Sequence, residues 1–282
     1  MTPPFGDILH ATDLHPDGDG AFRAALAIAL SGRGSLSIVH AEPHRDRAGH
    51  QWTGFPQVRE TLAAWGRLPR NAPATAVSET LGLQVSKVDL GGRDLVRGIG
   101  RFLDERPCDL VVMATHGDHC PTGWPRPSQS QAVAAVARAP SLFIPINGAG
   151  LADPLTGDIR LRQVLVPVDS RPRADAALAA AVDLAQQLGC GEAVFHLLHV
   201  GPGWPVVTLP PSLTEGPTGR VRKMLAEGPA AAAILQAADE TAADLIVMAT
   251  EGRHGILDAL RGSVTQQVIG AARRPVLAVP AR

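Results

Sequence analysis

The chain has 282 residues, a formal net charge of −1 and 19% charged residues. This length suits two domains of about 140 residues each, and the balanced charge excludes a basic surface for nucleic acid. The three cysteines are an odd number, and no apolar stretch approaches the roughly 20 residues of a membrane span. The segment from Met1 to Asp13 lacks a signal-peptide pattern. We therefore expect a cytoplasmic protein whose partners are small molecules or other proteins, without a membrane segment.

Short apolar runs alternate with helical stretches rich in alanine and leucine, which is typical of parallel strands joined by crossover helices. In the first half the predicted strands are Ile8–Thr12, Leu36–Ala41, Gln84–Leu90, Leu110–Ala114 and Leu142–Ile146. In the second half they are Gln163–Val168, Ala193–Val200, Val221–Glu227, Leu245–Ala249 and Val276–Pro280. Runs such as Leu-Ile-Val-Met are apolar on both faces, as strands between two helix layers must be. The predicted fold is α/β, with two tandem doubly wound domains that each contain a five-stranded parallel sheet.

The first half carries about 20 residues, around Trp52 to Thr75, that the second half lacks. Within this insert, Val58, Leu62 and Trp65 follow helical spacing. We expect the insert to add one helix that covers the mouth of the first domain.

The two halves are copies of one domain. The segment Asp109-Leu-Val-Val-Met-Ala-Thr-His-Gly117 recurs 135 residues later as Asp244-Leu-Ile-Val-Met-Ala-Thr-Glu-Gly252, with seven of nine positions identical. Glycines and turn-forming residues in the stretch 147–157 indicate a linker, so we place the first domain at residues 1–150 and the second at 158–282. Because each last strand should lie at an exposed sheet edge, we expect Leu142–Ile146 to pair with Val276–Pro280 in an internal pseudo-dimer. A homodimer of whole chains stays open.

A phosphate-binding pattern follows the fourth strand of the second half. Ala249-Thr-Glu-Gly252 is separated by nine residues from Gly262-Ser-Val-Thr-Gln266, which opens a helix. The two glycines allow tight turns and close approach to a ligand, and Ser263 with Gln266 has the form of a capping box. Free N–H groups and the dipole at that helix start favour phosphate. Glycine turns and serine caps are also common in structural turns, so the pattern by itself leaves a structural role open.

Together with Val166-Pro-Val-Asp169 at the end of strand one, this pattern resembles the universal stress protein family, and the resemblance spans both halves. The usual signature is Gly, two residues, Gly, nine residues, then Gly-Ser or Gly-Thr, and Ala249 replaces its first glycine. The resemblance implies an adenine-nucleotide α-hydrolase-like fold that binds ATP in the second half, with Asp169 at the adenine end. The implied cofactor-binding residues are Pro167, Val168, Asp169, Val200, Met248, Ala249, Gly252, Arg253, Arg261, Gly262, Ser263, Val264 and Thr265.

The first half keeps the spacing of this motif but not the residues that would bind phosphate. Pro127 stands where the second half has Gly262, which removes a backbone donor from the place where phosphate would lie. Asp118 replaces Arg253, so an attracting charge becomes a repelling one. We therefore expect a single ATP site, in the second half, and a first-half mouth that is filled by protein.

Histidine and cysteine residues gather at that first-half mouth, where the carboxyl ends of parallel strands meet. The candidate Zn²⁺ ligands are His40, His116, His119 and Cys120. His40 and His119 have the twins His199 and His254, and the spacing matches no established metal motif, so a metal site is disfavoured. His10 and His196 fall inside predicted strands and are expected to be buried and hydrogen-bonded.

Three functions stay open. The favoured one is a nucleotide-responsive stress-response protein, in which bound ATP alters stability or contacts with an unidentified protein partner. The second is an enzyme that cleaves ATP at the α-phosphate, which is disfavoured because the segments after both first strands lack the glycines of the Ser-Gly-Gly-x-Asp-Ser-like loop. The third is a structural or interaction protein with no nucleotide. Glu251 and Asp258 lie near the loop, but no general base or Mg²⁺ ligand set is evident, so we expect no catalytic residues.

Overall fold

Strands and helices alternate along the first half, as the apolar pattern predicts. The computed structural model describes residues 3–40, 54–90, 95–115, 129–215, 220–251 and 263–281. The first-half strands are β1 Asp7–Thr12, β2 Ser35–His40, β3 Gln84–Asp89, β4 Leu110–Thr115 and β5 Ser141–Pro145. The first-half helices are α1 Asp19–Gly32, α2 Val58–Ala64, α3 Ala76–Leu81, α4 Leu95–Glu105 and α5 Gln129–Ala137.

The second half repeats this alternation. Its strands are β6 Gln163–Pro167, β7 Val194–Val200, β8 Val221–Ala226, β9 Leu245–Glu251 and β10 Val276–Ala281. Its described helices are α6 Asp175–Gln187, α7 Pro211–Thr214, α8 Ala230–Glu240 and α9 Val264–Ala271. All ten predicted strands are present with bounds that differ by at most two residues. The largest difference is in β9, which continues to Glu251 because β10 pairs with it as far as Ala281.

The ten strands form one continuous sheet in the order β3-β2-β1-β4-β5-β10-β9-β6-β7-β8. Within each half the neighbouring strands are parallel, and the first strand lies between the second and the fourth. β5 and β10 pair antiparallel, which confirms the predicted pairing of the two last strands. The α/β class with two tandem units is also confirmed, and the two five-stranded sheets are joined into one.

An approximate two-fold axis passes through this junction. Leu142 pairs with Leu277, and these two residues are twins at the 135-residue offset. On either side, Phe143 pairs with Val276 and Ser141 pairs with Ala278. The carboxyl edges of the two halves therefore point in opposite directions along the sheet.

Helices cover both faces of the sheet, so most strand residues are buried. Buried side chains of α1, α2, α3 and α6 belong to one core layer. Buried side chains of α4, α5, α8 and α9 belong to the layer on the other face. Alanines that are fully buried in α1 and α6 allow these helices to approach the sheet closely.

The repeated segment begins with an aspartate that anchors the first strand of each half. The Asp109 Oδ2 accepts hydrogen bonds from the backbone N–H groups of Gly6 and Asp7, both at 2.9 Å. The Asp244 Oδ2 accepts from Arg162 and Gln163 at 2.7 and 2.9 Å. Hydrogen bonds to an ionised acceptor are stronger than neutral ones, so each aspartate fixes the start of strand one against strand four.

The expected position of the insert was wrong. The insert contains one described helix, α2, as predicted, and α3 begins directly after it; Val58, Leu62 and Trp65 are buried, also as predicted. However, Trp65 lies beside the second half of α1, towards the amino edge of the sheet, rather than over the mouth. Near the start of the described part of the insert, the Phe55 ring packs edge-on against His40 at 6.2 Å, at the mouth. The insert runs along the sheet face because its apolar side chains complete the core layer beside α1.

Trp65 also contacts the segment that joins the two halves. Its indole Nε1–H donates to the Pro154 carbonyl at 3.3 Å, and Arg67 forms an ion pair with Asp158 at 2.9 Å. Gly157 has φ +71°, and a Cβ at this position would overlap the Trp65 ring. The joining segment is therefore packed against the insert, and glycine is required at its turn.

His10 is buried in β1, and its ring is only partly hydrogen-bonded. The Nδ1–H donates to the Val112 carbonyl at 3.1 Å, whereas Nε2 has no partner among the described residues. Burial lowers the pKa of His10 from 6.5 to about 4, against smaller raising effects of the Val112 hydrogen bond and the charge of Asp13. His196, in β7, lies 2.6 Å through Nε2 from the Gln163 Oε1 and is satisfied as predicted.

We predict that His10 makes the fold sensitive to mild acid. Its folded pKa is lowered, so its neutral form contributes full stability above the unfolded pKa, and that stability is lost as the pH falls from about 6.5 to about 4. The expected loss is about 3 kcal/mol in the free energy of unfolding, measured by urea denaturation at several pH values.

The matched variant is His10→Val, because Val166 occupies the corresponding place relative to Asp169 in the second half. This variant should retain more of its stability at pH 4.5 than the natural chain does. Equal pH dependence of the two proteins would contradict the role given to His10.

Candidate functional site

A cavity of about 260 Å³ opens at the carboxyl edge of the second half. It is bordered by the ends of β6 and β9, by β7 and by the first turn of α9. Nine of the thirteen residues that the sequence singles out line this single cavity. They are Pro167, Val168, Asp169, Val200, Met248, Ala249, Ser263, Val264 and Thr265. The other four, Gly252, Arg253, Arg261 and Gly262, lie outside the described residues.

Asp169 stands at the rim of the cavity, directly after buried Val168. The Asp169 Oδ1 accepts hydrogen bonds from the Ser170 backbone N–H at 2.6 Å and from the Ser170 hydroxyl at 3.3 Å. These contacts orient an exposed carboxylate at the end of strand one. Such a group can accept hydrogen bonds from a ligand that enters the cavity.

A histidine holds the backbone just before this aspartate in both halves. The His199 Nδ1–H donates to the Val168 carbonyl at 3.0 Å, and the His40 Nδ1–H donates to the Thr12 carbonyl at 2.9 Å. Both rings are buried. The twin histidines therefore have the same structural task, which is to fix the end of strand one from the neighbouring strand.

The hydrogen bond to Thr12 gives His40 a structural role. Among the described residues, no group of three or more His, Cys, Asp or Glu side chains is placed to hold a metal ion. The remaining candidate ligands, His116, His119 and Cys120, lie outside the described ranges, as do Asp118 and Pro127.

Ser263 forms the predicted helix cap. It has φ −68° and ψ 155°, and its hydroxyl accepts a hydrogen bond from the Gln266 N–H at 3.1 Å at the start of α9. Behind the cap, Thr265 is buried and Val264 is exposed. The first-turn N–H groups and the helix dipole thus meet the cavity, an arrangement that favours an anion.

The loop after β7 was not predicted to flank the site. The Trp204 ring packs edge-on against His199 at 6.4 Å, and the Lys223 ammonium lies 5.1 Å from the Trp204 ring centre. Further along, the Thr208 N–H donates to the Asp175 Oδ1 at 3.1 Å. The loop is therefore held against the start of α6 and supports His199.

Several residues that line the cavity were missed by the sequence reasoning. From the second half they are Arg171, Pro172, Leu198, Ala230, Ile234, Thr250, Glu251, Ile269, Ala278 and Pro280. From the first half they are Ala134, Ala139, Ser141 and Phe143. Arg171 and Glu251 adjoin predicted site residues and could have been found by extending the motifs. The first-half residues adjoin no predicted site motif. They reach the second-half cavity because β5 and β10 pair antiparallel.

The sequence profile of the universal stress protein family matches residues 4–145 and 211–280. The chain therefore belongs to the universal stress protein family. Among curated proteins, no sequence matches it. Within the parts of the chain that the structure describes, no helix is long and apolar enough to cross a membrane.

Two solved structures share the fold over nearly the whole chain, and a third matches a shorter part of it. A universal stress protein from Archaeoglobus fulgidus DSM 4304 is 17% identical, with a TM-score of 0.64, and the match covers 100% of this chain and 98% of that one. A functionally unknown protein from Pseudomonas aeruginosa PAO1 is 18% identical, with a TM-score of 0.60, covering 98% and 93%. A universal stress protein solved in complex with cAMP matches 44% of this chain and 99% of its own, at 23% identity and a TM-score of 0.32.

Proposed function

We propose that this protein binds ATP in its second half and acts as a nucleotide-responsive, non-enzymatic stress protein of the cytoplasm. The observation that carries the proposal is the meeting of nine motif residues around one cavity, although they come from four separate segments of the chain. Membership of the universal stress protein family agrees with this function. The domains that we assign are residues 1–150 and 158–282.

The cavity combines two kinds of lining that suit a nucleotide. Val168, Leu198, Val200, Ile234 and Met248 provide an apolar wall that can enclose a base, with the Asp169 carboxylate at its rim. The capped start of α9 lines the same cavity and offers N–H groups to phosphates. The sequence adds Arg253 and Arg261 in the adjoining loop.

Binding rather than catalysis is proposed, and we assign no catalytic residue. The Asp169 Oδ1 is engaged by Ser170, which suits an orienting acceptor. Occupancy can still have a large effect by mass action: ATP at about 100 times its dissociation constant would add roughly 2.7 kcal/mol to the stability of the bound state. A gain of this size can bias contacts with a protein partner.

The chain should bind one ATP, in its second half. Gly262→Pro should abolish binding because it removes a donor near the phosphate position, whereas Pro127→Gly should not create a second site because Asp118 remains. Isothermal titration calorimetry gives the stoichiometry. Two nucleotides per natural chain would contradict the assignment, and no ATP binding at all would favour an interaction protein without nucleotide.

Asp169→Ala should lower the affinity for ATP by roughly 10- to 100-fold, since hydrogen bonds to a charged group contribute about 1.5–3 kcal/mol. The affinity for inorganic triphosphate should change less, because the proposed partner of Asp169 is the adenosine end. Asp13→Ala, at the corresponding place in the first half, is the matched control and should leave ATP affinity unchanged. Equal losses for ATP and triphosphate would show that Asp169 does not act at the adenosine end.

Two substitutions of Ser263 should distinguish its role as a helix cap from its proposed position beside the phosphates. Ser263→Ala should lower the free energy of unfolding by about 1 kcal/mol through loss of the cap. Ser263→Asp should keep the cap but place a negative charge beside the phosphates, so it should retain stability and lose ATP binding. Calorimetry and urea denaturation provide the two measurements. Ser128→Asp, the twin substitution, should leave ATP affinity unchanged, and normal ATP binding by Ser263→Asp would refute a phosphate site at this helix start.

A further inference from the structure

The cavity does not stop at the second half. Four of its lining residues belong to the first half and lie in α5, in the turn after it and in β5. Together with two residues of α9 and β10 they border the part of the cavity that we term the seam chamber. The six residues of the seam chamber are Ala134, Ala139, Ser141, Phe143, Ile269 and Ala278.

The chamber arises from an asymmetry at the approximate two-fold axis. The pairs Phe143–Val276 and Ser141–Ala278 flank the axial Leu142–Leu277 pair. Phe143 is the twin of Ala278, and Ser141 is the twin of Val276, so identical halves would place equal bulk on both sides. Here both large residues share one pair and both small residues share the other.

The small pair lies on the side of the second-half site. β10 runs from Val276 through Ala278 towards the carboxyl edge of the second half, where the cavity opens. Ser141 and Ala278 both line the cavity. In the helix layer, Ala134 of α5 and its larger twin Ile269 of α9 both line the cavity. Space is therefore left beside the second-half site by residues from both halves.

The seam chamber is chemically apolar. Five of its six residues have hydrocarbon side chains, and the Ser141 hydroxyl already donates to the Ala139 carbonyl at 3.2 Å. Water gains few hydrogen bonds in such a space, whereas a hydrocarbon group gains contacts on all sides. The chamber therefore favours an apolar group.

The chamber is continuous with the start of α9. Thr265 and Ile269 are four residues apart on the buried face of this helix, and both line the cavity. A group that enters the chamber would therefore extend from the place where the proposed function puts the phosphate end of the nucleotide. The adenosine end, beside Asp169 and Val200, is bordered by other elements.

We propose that the seam chamber receives a short apolar chain joined to the phosphate end of an adenine nucleotide, as in an acyl adenylate. This inference rests on the proposed nucleotide site and specifies its ligand class. The first half would then contribute to ligand selection, since it supplies four of the six residues that line the seam chamber.

Two stable analogues of acyl adenylates test this inference. They are 5′-O-(N-acetylsulfamoyl)adenosine and its N-hexanoyl counterpart, which differ by four methylenes. A buried methylene contributes roughly fourfold in affinity, so the hexanoyl compound should bind at least about tenfold more tightly to the natural chain. Calorimetry with ATP and both analogues gives the three affinities.

Two variants install the residues of the twin positions and fill the chamber. Ala134→Ile and Ser141→Val should remove most of the hexanoyl preference, because both add bulk at the chamber wall. The matched control is Ala271→Val, which installs the residue of its twin Val136 at an exposed position of α9 and should keep the preference. The midpoint of thermal unfolding verifies that each variant is folded.

The outcomes separate this inference from the proposed function. If ATP binds but the acetyl and hexanoyl compounds bind equally, the chamber inference is overturned and the nucleotide site stands. If Ala134→Ile and Ser141→Val both keep the preference for the hexanoyl compound, the acyl chain of the ligand binds outside the seam chamber and the inference is also overturned. If neither ATP nor either analogue binds, the proposed function and the inference both fail.

Discussion

The antiparallel pairing of β5 with β10 is the interaction on which the rest of this architecture depends. It joins two five-stranded sheets and leaves β3 and β8 as the outer strands. Unpaired edges expose backbone groups that attract other chains, and this pairing removes two of them. Because the pairing is antiparallel, the carboxyl edge of each half lies beside the amino end of the other half's last strand. First-half residues can therefore border a second-half cavity.

The duplicated halves preserve the contacts that hold the strands and differ where a ligand would bind. Asp109 and Asp244 anchor strand one in the same way, and His40 and His199 fix its end through equivalent hydrogen bonds. These contacts stabilise both halves in the same way, independently of any ligand. The loop before the last helix differs, with Pro127 in place of Gly262. The residues that hold the strands together are therefore different from the residues that would bind a ligand.

Local signals in the sequence were reliable where one segment contained the whole interaction. The Ser263 cap joins residues three positions apart, and the structure contains its hydrogen bond. The helical spacing of Val58, Leu62 and Trp65 likewise predicted their burial. It did not predict that Trp65 would pack towards the amino edge and donate to Pro154, 89 residues further along the chain. Spacing identifies a buried face but not the surface that buries it.

The sequence by itself determined the duplication, the ten strands and the α/β class, because apolar periodicity and the 135-residue repeat carry that information locally. Exposed sheet edges indicated the pairing of the last strands, and the resemblance to the universal stress protein family indicated the nine residues that share one cavity. Only the tertiary structure decided that Phe143 pairs with Val276 on one side of the two-fold axis while the smaller Ser141 and Ala278 pair on the other side, beside the cavity. The register across the junction sets that difference, because it determines which side chains of distant segments lie opposite each other. Packing at such a contact depends on the combined volume of the two paired side chains, and neither segment alone specifies that volume.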